Sequence, residues 1–462
     1  MELLVFVHCT SMTTPALLTA PPTNDSPALD WLTEDLPRSW IDESLAATGT
    51  ASERERRLPA HLAAQLVIAM GVLRDRSIVD VANDLELARH KEGESPIASN
   101  AISGARKRLG EAPLEHLAQR CAKEWAMPAA AAHAWRGLTL FGLDGSTLRV
   151  PDSDDNRALF GGQSAGTARG TSGYPLVRIV IVMALRTHLL AGLAMGPYVG
   201  SSELSLTPSL SARVPNESLL IVDRNFLSAR WLLHHARQGP ERYWLLRAKR
   251  NTRWRVVRTF APGDELVEME VSPEARKRDP TLPTTWRARA IRYHRRGFRP
   301  SILLTSLDDP ARWPAREIVA LYHERWELEL GLDELKTQQM EREETLRSRT
   351  PWGVRQEIWG LMIGYNLVRR RAWDYAVQQK VAPLRVSFVV MLRQLRDRWI
   401  VWAIVGTDAA PRLRTHERRL ARRAVLPRRR SARQYPRAVK LKMSPYLRKR
   451  PSLRGARGVA RP

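Results

Sequence analysis

The chain has 462 residues and a formal net charge of +26 at pH 7, and a positive excess of this size indicates a polyanionic partner, most often nucleic acid. Hydrophobic residues make up 44% of the sequence and charged residues 26%, which excludes a disordered chain and is typical of a globular protein. The only cysteines are Cys9 and Cys121, and no apolar run approaches the roughly 18 residues of a membrane span, so we expect a cytoplasmic protein with neither a disulfide framework nor a membrane partner.

The charge is distributed unevenly along the chain. Residues 411–462 contain 19 Lys and Arg against one Glu, a net charge of +18, whereas residues 1–58 contain nine acids and four arginines. Residues 1–30 predict a disordered leader. Residues 376–462 predict a helical C-terminal region with a basic tail, and the tail is either a DNA contact or a solubilising extension.

Residues 31–135 predict an all-α domain with three short helices in its centre. The third helix is predicted over residues 97–109, and the trio is typical of a helix-turn-helix bundle whose third member enters the major groove of DNA. Its side chains predicted to face DNA are Ser99, Asn100, Ser103, Arg106 and Lys107, and Asn100 and Arg106 are the candidates for base contacts. The residues alone leave open that this helix serves packing or dimerisation.

Two acids then appear in apolar, extended stretches. Residues 138–150 predict a strand with Asp144 in its middle, although Asp is depleted in strands. Residues 218–223 predict a buried strand that ends on Asp223 and delivers it to the carboxyl edge of a sheet, where open α/β sheets bind ligands. An Asp at a strand end is also a common turn residue or helix cap. Residues 250–310 predict a β-rich insertion.

Residues 321–336, LYHERWELELGLDELK, predict a helix because they are dense in good helix formers. On a helical wheel with about 100° per residue, one narrow face carries Tyr322, Arg325, Glu329 and Lys336. We expect Glu327 and Glu334 to point to solvent, which singles out Glu329 among the acids. The alternative is an ordinary solvated face with intrahelical ion pairs.

The spacing Y-x-x-R-x-x-x-E-x-x-x-x-x-x-K resembles the signature of the DDE transposases of bacterial insertion sequences, specifically insertion sequence family four. The sequence DGST that begins at Asp144 resembles the family's first aspartate motif, and DRNF at Asp223 resembles its second. RLPAHLAAQLVIAM resembles the family's N-terminal domain. The resemblance covers roughly residues 32–449, and it implies an α/β fold with an RNase H-like catalytic core over residues 136–375 that includes the β-rich insertion.

The resemblance also implies the site and its cofactor. Asp144, Asp223 and Glu329 would be the catalytic acids and would hold two Mg²⁺ ions, for which Mn²⁺ can substitute. Carboxylates suit such oxygen-seeking cations, and two metals about 4 Å apart can activate the attacking oxygen and stabilise the leaving one. Arg325 and Lys336 would contact DNA phosphates, and Tyr322 would stack on a base or donate its hydroxyl.

The implied function is that of a transposase, which binds terminal inverted repeats, cuts the ends of its element and uses the freed 3′-hydroxyl for strand transfer. Its expected partners are transposon-end DNA and target DNA, with a homodimer in the synaptic complex and a nucleoid-associated location in the cytoplasm. Two alternatives remain open from the sequence. One is an RNase H-like nuclease that cuts without joining, and the other is a catalytically inactive relative that only binds DNA ends.

Overall fold

A computed structural model describes residues 32, 34–54, 56–87, 96–163, 173–295, 299–341, 345–405 and 410–427. The predicted leader and most of the basic tail lie outside these residues, so the expectations for them are not addressed by the structure. Within the described residues no helix is long and apolar enough to cross a membrane.

The N-terminal part of the chain is helical, as its sequence predicts. The helices are α1 (Arg38–Ala47), α2 (Ala60–Val72), α3 (Ile78–Asp84), α4 (Ser99–Leu109), α5 (Ala112–Cys121), a π-helix (Ala122–Ala126) and α6 (Met127–Ala131). Nearly every residue of α2 is buried, because a helix that is apolar on all sides has no face to offer to water. Ser77 caps α3 by accepting a hydrogen bond from the Asp80 backbone N–H at 3.1 Å.

Within the described residues, nine strands form a mixed sheet at the centre of the molecule. Its strands are β1 (Thr139–Arg149), β2 (Leu176–Ala184), β3 (Leu190–Pro197), β4 (Ser218–Val222), β5 (Arg242–Arg247), β6 (Arg255–Ala261), β7 (Asp264–Glu270), β8 (Thr285–Tyr293) and β9 (Ser301–Thr305). Their order across the sheet is β3-β2-β1-β4-β5-β9-β8-β7-β6. β1, β4 and β5 are parallel to one another, whereas the remaining neighbours are antiparallel.

The strands predicted within residues 250–310 are present and extend this same sheet. β9 pairs antiparallel with β5 through Leu246 and Leu304, so the added strands continue the sheet beyond its parallel part. β6 is the outer strand, and nearly all of its side chains are exposed. The insertion therefore widens the sheet on the side away from β3.

Helices cover the sheet and connect its strands. They are α7 (Asp154–Phe160), α8 (Glu203–Ser211), a 3₁₀ turn (Arg224–Phe226), α9 (Ala229–Arg237), α10 (Pro273–Arg278), α11 (Ala315–Glu324), α12 (Trp326–Asp333), a second π-helix (Glu334–Gln339), α13 (Pro351–Gln378), a 3₁₀ turn (Pro383–Arg385), α14 (Phe388–Val405) and α15 (Ala410–Arg422). The single helix predicted over residues 321–336 is thus three consecutive helical segments. The break between the first two falls at Arg325.

The N-terminal helices and the sheet share one hydrophobic core. α2 packs against α13 so closely that a Cβ added to Gly71 would overlap the backbone of Gly360, and one added to Gly360 would overlap the backbone of Val67. Two glycines are therefore required at this crossing, where the backbones meet. α13 begins beside the N-terminal helices and runs past residue 375, where the sequence suggested a boundary.

Candidate active site

Two aspartates lie side by side where neighbouring parallel strands end their pairing. In the register of β1 and β4, Leu143 pairs with Val222, and the residue that follows each of them in the chain is an aspartate. Asp144 is partly buried in the middle of β1, whereas Asp223 follows β4 directly and begins the 3₁₀ turn. The parallel pairing therefore brings together the two acids that the sequence singled out, at the carboxyl edge of β4.

The electrostatic surroundings of Asp144 disfavour its charged form. Burial raises the pKa of Asp144 to about 6, and the carboxylates of Glu203 and Asp223 add to the increase. The Gly145 backbone N–H, which donates to Asp144 Oδ1 at 2.8 Å, and the nearby Arg325 oppose it. The site thus concentrates negative charge on an apolar strand, and a cation bound there would relieve the repulsion.

Glu203 is an acid at this site that the sequence analysis did not identify. It is the first residue of α8, after the N-cap Ser202. Its side chain covers Gly145 so closely that a Cβ on Gly145 would overlap it. No local pattern could have indicated this, because the position of α8 over β1 results from tertiary packing.

Arg325 joins the helical side of the site to the sheet side. Its Nη2 donates to Glu329 Oε1 at 2.7 Å, the intrahelical ion pair that the sequence had left open as the ordinary alternative. The same guanidinium is in electrostatic contact with Asp144 and Asp223. Arg325 therefore interacts electrostatically with all three predicted catalytic acids.

Asp144, Asp223 and Glu329 do not converge on one metal-binding position in this structure. No group of three or more His, Cys, Asp or Glu side chains lies close enough to hold a metal ion anywhere in the part of the chain that is described. The sheet brings Asp144 and Asp223 together, and Arg325 stands between them and Glu329. The donor types still fit a hard divalent cation, because carboxylate oxygens are its preferred ligands. Glu329 would have to exchange Arg325 for the metal.

A basic, aromatic pocket of about 390 Å³ opens next to Asp223. The cations that line it are Arg247, Arg295, Arg299 and Arg325, and its rings are those of Tyr293, Tyr322, His323 and Trp326. Tyr322 is 7% exposed, and burial raises its pKa, so its hydroxyl stays protonated and can donate a hydrogen bond. The pocket combines phosphate-binding cations with surfaces on which a base can stack.

Lys336 reaches the site from the second π-helix. Its Nζ donates to Ser146 Oγ at 3.1 Å, two residues after Asp144 on β1. The structure therefore brings Tyr322, Arg325, Glu329 and Lys336 to the side of the helix that faces the two aspartates. π-helical turns are uncommon and occur often at functional sites.

The expectation that Glu327 and Glu334 point to solvent is wrong. Glu334 accepts hydrogen bonds from the Tyr365 hydroxyl and from Arg369 Nε, both at 2.9 Å. Glu327 Oε2 lies 3.2 Å from His188 Nε2. A helical wheel gives the direction of each side chain, but it does not reveal that α13 and the β2–β3 turn cover this face.

The expectation that Arg106 faces DNA together with Asn100 is also wrong. Arg106 is 5% exposed, and its Nη2 donates to Ser348 Oγ at 3.0 Å and to the Gly353 carbonyl at 3.1 Å. It points inward because α13 packs on this face of α4. Asn100 is exposed, and so are Ser103 and Lys107.

Comparison with known proteins identifies similar chains. Residues 26–119 match the family described as insertion element 4 transposase N-terminal, and residues 135–367 match the family described as transposase DDE domain. The chain is 32% identical to the transposase InsG for insertion sequence element IS4 of Escherichia coli (strain K12), over 87% of this chain and 89% of that protein. It is 34% identical to the putative transposase InsZ of the same organism, over 51% of this chain and 78% of that protein.

A solved structure with some likeness is the cryo-EM structure of the piggyBac transposase synaptic complex with hairpin DNA. The likeness covers 88% of this chain and 87% of that one, with 12% identity and a TM-score of 0.41.

Proposed function

Because the chain belongs to the insertion element 4 family of DDE transposases, we propose that it binds the terminal inverted repeats of a bacterial insertion sequence, cuts the DNA there and joins the freed ends to target DNA. The observation that carries this proposal is the position of Asp144 and Asp223 directly after the last paired residues of β1 and β4, with Arg325 linking them to Glu329. The same acids supply the divalent-metal dependence that a DDE domain implies.

The proposed catalytic core is RNase H-like and consists of β1 to β5 with their helices. Its support is the strand order 3-2-1-4-5, in which β1 is antiparallel to β2 and parallel to β4. In this order Asp144 lies on the central strand β1, and Asp223 directly follows the parallel neighbour β4. The strands from β6 to β8 extend this core through β9.

In the proposed reaction the three acids would hold two Mg²⁺ ions, for which Mn²⁺ could substitute. When bound, such ions would activate the attacking oxygen and stabilise the leaving oxygen of the phosphodiester. Asp144 and Asp223 would hold the ions from the sheet side and Glu329 from α12, in exchange for the ion pair of Glu329 with Arg325. The raised pKa of Asp144 supports this assignment, because a carboxyl group that resists ionisation alone gains most from a cation.

The cations of the site orient the DNA backbone. Arg325 offers a planar guanidinium that can hold a phosphate with two parallel hydrogen bonds. Lys336, whose Nζ donates to Ser146 Oγ, would contact a second phosphate beside β1. Tyr322 lines the same pocket and can stack on a base or donate its hydroxyl. These contacts set the position of the DNA but carry no base code.

Reading of the end sequence is proposed for the exposed face of α4. Asn100, Ser103 and Lys107 are exposed on it at spacings of three and four residues, which places them on one side of a helix. Asn suits a bidentate contact with adenine in the major groove. Arg106 has no part in this contact, since it is buried.

Two further features complete the proposal. Two copies of the chain would act together in the synaptic complex, because an element has two ends, and the mass of the complex with end DNA by light scattering tests this. The net charge of +26 would also keep the protein on bulk DNA through salt-dependent phosphate contacts. We expect that charge to produce association with the nucleoid. The protein should then separate from isolated nucleoids at high salt.

The test uses the full-length protein with Mg²⁺ and DNA that carries the ends of its element. Asp144→Asn, Asp223→Asn and Glu329→Gln are each expected to abolish cleavage while end binding persists, because each removes a ligand charge and little surface. Asp333→Asn is the matched control, since Asp333 is an exposed acid on the same helix as Glu329. Cleavage by Glu329→Gln at the wild-type rate would refute the assignment.

The same experiment separates the alternatives. A transposase yields products in which the element's 3′ ends are joined to target DNA, whereas a nuclease yields only cut ends. An inactive relative would bind ends and cut none under any divalent metal. Product analysis by sequencing the junctions therefore distinguishes the three.

A further inference from the structure

A buried polar cluster holds the helix that carries Glu329 and Lys336. It contacts the helix on the face opposite to those two residues. Its centre is the carboxylate of Glu334, which accepts hydrogen bonds from Tyr365 and Arg369 at 2.9 Å and also forms an ion pair with Arg369 Nη2. His188 Nδ1 lies 3.2 Å from the same carboxylate. We call Glu334, Tyr365, Arg369 and His188 the Glu334 cluster.

The cluster ties three separate elements together. Glu334 begins the π-helix, Tyr365 and Arg369 lie on α13, and His188 lies in the turn between β2 and β3 with a φ of 61°. His188 contacts the helix at two positions, because its Nε2 lies 3.2 Å from Glu327 Oε2. The helix is therefore held from the sheet side and from the α13 side at the same time.

The face that contacts the Glu334 cluster lies opposite the face that carries Glu329 and Lys336. Residues seven apart on a helix point in nearly the same direction, since seven residues at about 100° each complete almost two turns. Glu327 and Glu334 form one such pair, and Glu329 and Lys336 form the other, about half a turn away. A rotation of the helix would thus move both pairs together, and the Glu334 cluster prevents it.

A contribution to stability is a weak explanation for burying the ion pair of Glu334 and Arg369. Arg369 is 2% exposed and His188 is 1% exposed, and although burial opposes it, Arg369 and His188 hold the pKa of Glu334 at about 2. Burying such an ion pair costs much of what its attraction returns, and hydrophobic replacements are often as stable. What the cluster provides is a fixed geometry.

We propose that Glu334 is a positioning residue, which sets the rotation of the helix and so directs Glu329 and Lys336 to the two aspartates. The proposal rests on the proposed function of those residues at the active site. The change from α12 to the π-helix at Glu334 contributes to the same positioning, because Lys336 reaches Ser146 from the first turn of that π-helix.

The test compares Glu334→Gln with Glu357→Gln in steady-state cleavage of end DNA by the full-length protein. Glu357 is a matched control. It is a fully buried carboxylate whose pKa is about 2, because Arg74 and Arg347 overcome the effect of burial. Its hydrogen-bond partners Arg74, Arg347 and Ser348 lie outside the helix that carries Glu329.

Glu334→Gln is expected to lower kcat by about 100-fold, the loss that follows a displacement of about 1 Å, with the KM for end DNA unchanged within about twofold. Its complex with end DNA should also bind Mn²⁺ about tenfold more weakly in electron paramagnetic resonance titrations, as for other residues that orient metal ligands. Glu357→Gln should melt at a lower temperature and, below it, keep the wild-type kcat and Mn²⁺ affinity.

Tyr365→Phe provides a second variant, which removes one hydrogen bond to Glu334 and keeps the packing. It is expected to show the same pattern with a smaller loss of kcat, and it decides the question if Glu334→Gln does not fold. The proposal is overturned if the variants of the Glu334 cluster keep the wild-type kcat and Mn²⁺ affinity, or if Glu357→Gln loses as much. Wild-type cleavage by Glu329→Gln would instead overturn the proposed function itself.

Discussion

Replacing Asp144 with Asn is expected to stabilise the protein in the absence of divalent metal. The change removes the negative charge that Asp144 holds against burial and against Glu203 and Asp223. Asn is nearly equal in size, and its amide oxygen can still accept the Gly145 N–H bond of 2.8 Å. The variant therefore loses an unfavourable charge without losing a hydrogen bond or leaving a cavity.

The magnitude follows from the pKa of about 6 in the folded protein and the ordinary value of 3.8. Because the folded pKa is raised, the folded state binds more protons than the unfolded state between these values, and stability falls as the pH rises through this window. Above it the cost levels off at about 3 kcal/mol, since one pKa unit corresponds to roughly 1.4 kcal/mol. At pH 4.5 the same relation leaves about 1 kcal/mol.

The assay is urea unfolding of the full-length protein with a chelator present, at pH 8 and at pH 4.5. We expect Asp144→Asn to exceed the wild type in free energy of unfolding by up to about 3 kcal/mol at pH 8, with a smaller gain at the lower pH. Asp333→Asn, an exposed change, should match the wild type at both. Added Mg²⁺ should narrow the gap by binding only the wild type. A gain that does not change with pH, or a loss of stability at pH 8, would refute the reasoning.

Two further predictions concern DNA binding. Arg325→Ala and Lys336→Ala should each flatten the dependence of log affinity on log salt by about 0.9, the equivalent of one phosphate contact, and a slope equal to that of the wild type would exclude the contact. Asn100→Ala in the full-length protein should reduce the preference for terminal-repeat DNA over random duplex by about 1–3 kcal/mol in competition gel shifts, while salt-sensitive background binding persists. An unchanged preference would move sequence reading away from α4.

Much of the secondary structure could be predicted because its signals are local. The apolar run before Asp223 forms β4, and all five of its residues are buried. The alternation of turns and β-branched residues within residues 250–310 correctly predicts strands. The pairing of β9 with β5 had no such signal, because Leu246 and Leu304 lie far apart in sequence. Their pairing depends on the tertiary fold, so the sequence indicated an insertion but not the single continuous sheet.

The side-chain environments were less predictable than the elements. The periodicity of α4 places Asn100 and Arg106 near one another, yet a neighbouring helix packs on part of that surface. Arg106 consequently bonds to Ser348 and Gly353, from a segment more than 200 residues away. The helical wheel of residues 321–336 likewise separated the face of Glu329 and Lys336 from the face of Glu327 and Glu334. It wrongly assigned the second face to solvent. Which face a protein buries depends on partners that are distant in sequence.

The surroundings of the acids in this helix distinguish Glu329 from the other three. Glu324 pairs with Arg186, and Glu327 and Glu334 lie on either side of His188, so these three carboxylates are engaged with the body of the fold. Glu329 instead pairs with Arg325, whose guanidinium also faces Asp144 and Asp223. Its side chain is 36% exposed, against 19% for Glu334. An acid that exchanges a guanidinium for a metal ion has to be accessible. It also has to lie close to the other two predicted ligands, Asp144 and Asp223. Among these four glutamates, Glu329 has both properties.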